Sequence, residues 1–326
     1  MKNDIRLIQF FDLTLIGKTR ATSVIVKRMA SPVTLARFYE QLESLRELKK
    51  STVRVSKKSP FEFRLEDIKD NGDHYILMMN VVDTSAAHVV TQELGGDETT
   101  RQTTRMSDRR GLESSSHLIL HKTPNAAGQH LVLFERSQGI NFFQAIRFLR
   151  RLAQIAAKHF VDEYTKPHPN NEAGKTFNVY CDIDFVGHPS DDFKDELENG
   201  TINNIAITSN IGMIRGYDVK KHTYLKDGVE IKMDVSKPRV VLNGGNLGHL
   251  KRGLADAKSL SADYVKVSFT DETGASKTAT LDPATGQLIG SEKYVKTRKI
   301  TGFGKSLPTS FSVINDNIVL KILALD

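Results

Sequence analysis

Apolar positions along this chain recur at two spacings, and the places where one gives way to the other mark its elements. Residues 5–17 and 19–26 alternate and are rich in Ile, Leu, Phe and Val, which predicts two strands joined by a turn at Gly17-Lys18. Ser31-Pro32 supplies a cap and a proline suited to a first helical turn. Leu35, Phe38, Leu42, Leu45 and Leu48 follow at helical spacing, so residues 32–49 are predicted as a helix. Residues 61–70 and 74–83 are strand-like runs around Asn71-Gly72, a strong hairpin signal. Residues 95–111 are polar, charged and aperiodic, and read as a mobile loop. A second hairpin is predicted from residues 116–122 and 130–135. Residues 140–160 carry the clearest helical pattern, with Phe142, Ile146, Leu149, Ala153, Ala156 and Phe160 on one face.

Residues 165–175, TKPHPNNEAGK, hold two prolines, two asparagines and a glycine, and are predicted as a linker. Beyond them, residues 177–185 read as a strand and 191–198 as a short helix capped by Ser190. Residues 204–209, 229–235 and 239–242 read as strands, and 247–258 as a helix capped by Asn246. Residues 264–270, 277–281 and 292–300 suit a meander. The pattern implies an α+β fold of two domains, with mainly antiparallel sheets and a few helices packed on them. The expected division is a basic N-terminal domain over residues 1–164, the linker over 165–175 and a C-terminal domain over 176–326.

Charge adds an asymmetry. The net charge is +7, and residues 1–166 account for all of it, with 26 Lys and Arg against 19 Asp and Glu. An excess confined to one half suits a polyanionic partner; a solubilising surface is the alternative. The single cysteine, Cys181, excludes an intramolecular disulfide and a zinc site built on two or four cysteines of this chain. Its apolar surroundings suit a small buried hydrophobe. Asp4, Arg6 and Asp12 interrupt the N-terminal apolar stretch, so no signal peptide is expected. No run approaches the roughly 18–20 apolar residues of a membrane span. The expected location is the cytoplasm, and no cofactor is expected.

The face of the 140–160 helix opposite its apolar stripe carries Arg147, Arg150, Arg151 and Lys158. At about 100° per residue, the last three fall within about 60° of Arg147. No acidic residue interrupts them. A solubilising surface mixes Glu with Lys and Arg to gain i,i+4 pairs. An arginine stripe suits phosphate oxygens, which guanidinium binds in bidentate fashion. The alternative is a solvated face, or one paired with acids elsewhere in the fold.

A second basic run, EKYVKTRKITGFGK at residues 292–305, interleaves Lys293, Lys296, Arg298, Lys299 and Lys305 with Tyr294 and Phe303. Cations there could follow a backbone while rings stack on unpaired bases; an edge strand whose lysines deter aggregation is the alternative. LNGGNLGHL at residues 242–250 reads as a strand end, glycine turn and helix start, followed by Lys251 and Arg252. Free N–H groups at such a start attract anions, but the glycine spacing of the nucleotide-binding loops is absent, and a plain turn is the alternative.

One enzymatic arrangement is conceivable. Asp182 and Asp184 share a face of a predicted strand, and so do Glu230 and Lys232. Carboxylates holding Mg²⁺, with a lysine positioning water, would make a metal-dependent nuclease. Ordinary surface charges are the alternative. His117 and His121 share a strand face near His130, and read as solvated or core-satisfied histidines. No Gly-x-Ser-x-Gly elbow is present, and Cys181 lacks a local catalytic signature.

The stretch from His117 to Leu120, the run LVLFERSQG from Leu131 to Gly139 and the run INFFQAIRFL from Ile140 to Leu149 follow one another as hairpin, small polar turn and helix. In that order they resemble the A component of the lambdoid phage Rex exclusion system and related phage-defence DNA-binding proteins. The resemblance covers about residues 60–155 and rests on pattern, so no functional residue carries over individually. It implies a two-domain, dimeric, DNA-binding protein that acts in phage exclusion or antiviral defence. Together with the charge pattern it gives the leading expectation: non-enzymatic, largely sequence-independent binding of double-stranded DNA by a homodimer. The contacts would come from the helix stripe, with Lys251, Arg252 and the Lys293–Lys299 cations as further ones. The other readings are the nuclease, and a protein-interaction or sensor subunit of a defence system whose basic helix meets an acidic protein partner.

Overall fold

The computed structural model describes the chain apart from residues 1–4, 55–57, 97, 138, 170–174, 210–228, 235–244, 261, 271–273, 291–293, 305 and 326, and the side chains of residues 98 and 229–234. It forms two compact units, one of Met1–Asp184 with Arg298–Asp326 and one of Phe185–Thr297. The chain enters through β1 (Arg6–Thr19), α1 (Val24–Met29) and α2 (Leu35–Glu47), then β2 (Thr52–Arg54), β3 (Phe61–Asn71) and β4 (His74–Asp83). A small ribbon of β5 (Val89–Thr91) and β6 (Gln102–Thr104) precedes β7 (Leu112–His121) and β8 (His130–Arg136). Then come α3 (Phe142–His159), α4 (Val161–Tyr164), β9 (Thr165–Pro167) and β10 (Thr176–Gly187). The second unit holds α5 (Asp191–Asn199), β11 (Thr201–Ser209), β12 (Val229–Asp234), α6 (Gly245–Ser259), β13 (Tyr264–Thr270) and β14 (Ser276–Leu281). The chain returns to the first unit through β15 (Thr297–Ile300) and α7 (Asp316–Leu323).

The first unit is built on a nine-stranded sheet in the order β2, β3, β4, β7, β8, β1, β10, β9, with β15 also beside β1. Strand alternation gives this sheet two apolar faces. Phe11 of β1 and Phe134 of β8 meet Phe142 of α3, and Phe63 of β3 stacks with Phe148 of the same helix. The opposite face presents Ile8, Phe10, Ile76, Met78, Ile119 and Leu133, covered by Ile318, Val319 and Ile322 of α7. The second unit is an antiparallel sheet in the order β12, β11, β13, β14, with α6 against β11 and β13 and α5 beside α6. The fold is therefore α+β with mainly antiparallel sheets, as the hydrophobic pattern implies.

Several local expectations change. β1 runs straight through Gly17-Lys18, and residues 24–29 are helical, so there is no turn and no second strand. A Cβ on Gly17 would lie 2.1 Å from the Ala30 carbonyl oxygen. The glycine admits a crossing backbone; it does not reverse the chain. The helix expected from residue 32 begins at Leu35, because Thr34 is its cap and accepts the Arg37 N–H at 3.2 Å. Part of the expected 95–111 loop is ordered: β6 pairs with β5, and Ser107 bridges to Arg110.

The segment expected as a linker begins with β9, which pairs antiparallel with β10 through Thr176, Phe177 and Asn178. Buried Tyr164 anchors its start by donating to Gln41 Oε1 at 2.7 Å. The units divide instead after Asp184 and again after Thr297. The third strand expected for the C-terminal meander shortens to β15 and lies beside β1 in the other sheet. Asn246 sits inside α6 and does not cap it; its side-chain amide donates to Leu197 O at 2.9 Å and Gly200 O at 2.6 Å. The strand expected at 239–242 lies outside the described residues.

Candidate nucleic-acid interface

The orientation of α3 follows from its own sequence. Asn141 accepts the Gln144 N–H at 2.9 Å while Gln144 Oε1 accepts the Asn141 N–H at 2.9 Å, a reciprocal cap that fixes the first turn. Phe142, Ala145, Ile146, Leu149, Leu152 and Ala153 are buried. That stripe turns Arg147, Arg151, Gln154 and Lys158 to solvent. Among the described residues, Arg147 and Lys158 have neither an ion pair nor a hydrogen-bond partner. Arg151 donates to Gln154 Oε1 at 2.8 Å, within the same face.

Arg150 departs from the expected stripe. Its Nε donates to the Ile183 carbonyl at 2.8 Å and lies 3.1 Å from Asp182 Oδ1, so it ties α3 to β10. Lys18 of β1 binds the same carboxylate. Burial works to raise the Asp182 carboxyl, but the hydrogen bonds from Lys18 and the Ile183 N–H and the Arg150 charge outweigh it. The group is held below its ordinary value.

Two grooves flank the exposed ridge of α3. The first, about 540 Å³, is lined by Arg147, Arg150 and Arg151 together with Phe61, Phe63 and Phe148. The second, about 700 Å³, lies between α3 and β10 and is lined by Arg20, Arg151, Lys158, Gln154, Asn178 and Tyr180. Ala21, Ala157 and Val161 contribute apolar lining to it. Among the described residues, no Asp or Glu lines either groove. Arg20, exposed just beyond β1, has no partner among the described residues. Neither Arg20 nor Asn178 and Tyr180 are legible as site residues, because only the sheet order brings β1 and β10 beside α3.

Comparison with known proteins finds nothing that matches this chain: no family model, no curated protein and no solved structure. The Rex-like pattern therefore rests on the residues that carry it.

The second basic run is divided between the two units. Lys296 belongs to the second unit, and Arg298 and Lys299 to the first, where both are exposed. Lys293 and Lys305 lie outside the described residues. The rings expected to stack on bases are occupied. Tyr294 is buried against Phe193 and Phe269, and Phe303 packs in the α7 cluster beneath the Lys321 ammonium. Lys251 and Arg252 are exposed on α6 of the second unit, whose preceding glycine turn is only partly described.

The nuclease residues fall on two sheets. Asp182 and Asp184 lie on β10 in the first unit; Glu230 and Lys232 lie on β12, which pairs with β11 in the second. Asp182 is already engaged by two cations. Among the described residues, no three His, Cys, Asp or Glu side chains gather in a way that could hold a metal ion. His117 is a core histidine. The Asn315 N–H donates to its Nε2 at 3.1 Å, which leaves the proton on Nδ1 to be donated to Glu135 at 2.6 Å. His130 Nδ1 lies 2.9 Å from the His121 carbonyl. Among the described residues, no helix is long and apolar enough to cross a membrane.

Proposed function

We propose that this chain is a non-enzymatic DNA-binding protein that meets its target with the exposed face of α3. One observation carries the reading: Arg147, Arg151 and Lys158 point outward from a well-anchored helix, beside grooves whose described lining contains cations, rings and amides but no carboxylate. Such a face attracts phosphates and is not neutralised by its own surroundings. Contacts of this kind are largely independent of sequence, because phosphates carry no base identity. The Rex resemblance extends the reading to phage exclusion or antiviral defence by a homodimer in the cytoplasm.

Titration of DNA at several salt concentrations tests the reading. Each phosphate contact on duplex DNA contributes about 0.9 to the slope of log affinity against log salt. Replacing Arg147, Arg151 and Lys158 together with Ala is therefore expected to flatten the slope by about 2–3. Arg150→Ala alone is expected to leave it unchanged, because that guanidinium is spent on Ile183 and Asp182. An unaltered slope in the triple variant removes α3 from the interface.

A further inference from the structure

We propose that the larger groove beside α3 receives an unpaired nucleotide, so that the preferred target is a single strand and not the duplex expected from the charge pattern alone. This rests on the reading of α3 as a nucleic-acid face and names the form of nucleic acid that face takes. The lining divides into three chemistries. Arg20, Arg151 and Lys158 supply cations for a phosphate. Gln154 and Asn178 supply amides that can meet the edge of a base. Tyr180, with Ala21, Ala157 and Val161, supplies the ring and apolar surface that a base face covers.

A duplex can use the cations, and the amides where they reach a base edge in a groove, but not the apolar lining. Its base faces are stacked on one another. Docked against a duplex, the apolar part of the groove would stay wet. An unpaired strand uses all three chemistries at once. The groove volume of about 700 Å³ is of the size that takes a small organic ligand, roughly 300–1,000 Å³. An acidic peptide would satisfy the cations but brings no planar ring to the apolar lining. Arg20, just beyond β1, and Asn178 and Tyr180 of β10 are brought beside Lys158 only by the order of the folded sheet.

The test compares one short oligonucleotide, single-stranded and annealed to its complement, at a single salt concentration. One stacked base is worth about tenfold in affinity, so the single strand is expected to bind about tenfold more tightly. Ala157→Leu fills the groove without changing any charge; it is expected to abolish that preference by lowering single-strand affinity about tenfold. Ala157→Ser, which leaves the groove open, is expected to keep the preference. Coincident thermal unfolding of the two variants and the parent shows that each is folded. Equal binding of the two forms by the parent overturns the groove assignment, as does a preference that survives Ala157→Leu; the salt-slope test of α3 stands apart from both outcomes. No binding of either form at low ionic strength overturns the α3 reading and this one together.

Discussion

Arg147 and Arg150 sit three residues apart on one helix and have different fates. Arg147 projects to solvent beside the first groove; Arg150 bends to the Ile183 carbonyl and the Asp182 carboxylate. Helical spacing makes both visible as part of one stripe, but spacing cannot say which of them meets β10, because that depends on where a strand more than thirty residues later lies. Asp182 is where the difference can be measured. Its folded-state carboxyl is held below its ordinary value, so its ion pairs stabilise the fold fully above about pH 4 and lose that effect as the pH falls through the lower folded value. Asp182→Asn is expected to be less stable than the parent at pH 7, with the gap narrowing as urea unfolding is repeated toward pH 3. A gap independent of pH would mean that the carboxylate charge contributes nothing. Its neighbour Cys181 is buried, and burial pushes the thiol up to about 12, so at neutral pH it is a packing residue and not a nucleophile.

At the scale of the element, periodicity was a good guide to existence and a poor one to partners. The β3–β4 hairpin, the β7–β8 hairpin, α2, α3 and α5 all lie where alternation, helical spacing or a cap places them. The failures share a cause: a residue whose local chemistry suggests one role is used by a distant segment for another. Gly17 looks like a turn and is a crossing point for the Ala30 backbone; Asn246 looks like a cap and is a tether to the end of α5. Gly17→Ala is expected to destabilise the first unit severely, since the new methyl would meet backbone and not a movable side chain. By contrast, Asn141→Ala removes a cap that serves only α3, and is expected to cost about 0.5–2 kcal/mol. Denaturant unfolding of both variants distinguishes the two: similar small losses would show that the approach at Gly17 relaxes freely.

Across the whole molecule, the least legible feature is the return of the C-terminal segment to the first sheet. The run Ser114-Ser-Ser-His117 is polar throughout, yet all four residues are buried. Ser115 and His117 are dry because the C-terminal segment lies over them and supplies partners, the Asn315 N–H donating to His117 Nε2 at 3.1 Å; Ser116 Oγ instead bonds Ser137 Oγ at 3.0 Å. The Phe311 N–H donates to Ser115 Oγ at 2.8 Å, Asn80 donates to Phe311 O at 2.9 Å, and the Ile314 N–H donates to Asp67 Oδ2 at 2.9 Å. Each of these polar groups would be costly to bury alone, so strands and covering segment require one another. Charge and period cannot reveal such a pairing, since its members lie 196 to 247 residues apart. The same geometry makes the second unit a continuous insertion, Phe185–Thr297, within the first. A chain ending at Thr297 would keep every strand of the first sheet except β15, but would expose Ile8, Phe10, Ile76, Met78, Ile119 and Leu133 and strip Ser115 and Asn80 of their bonds to Phe311, leaving them their bond to each other. It is expected to aggregate or to unfold non-cooperatively, whereas the fragment 185–297, with its own sheet and helices, is expected to fold by itself. Ile318→Ala provides the graded version, with an expected loss of about 2–5 kcal/mol from a fully buried site. A cooperative, parent-like melt of the chain ending at 297 would show that α7 decorates the sheet and does not complete it.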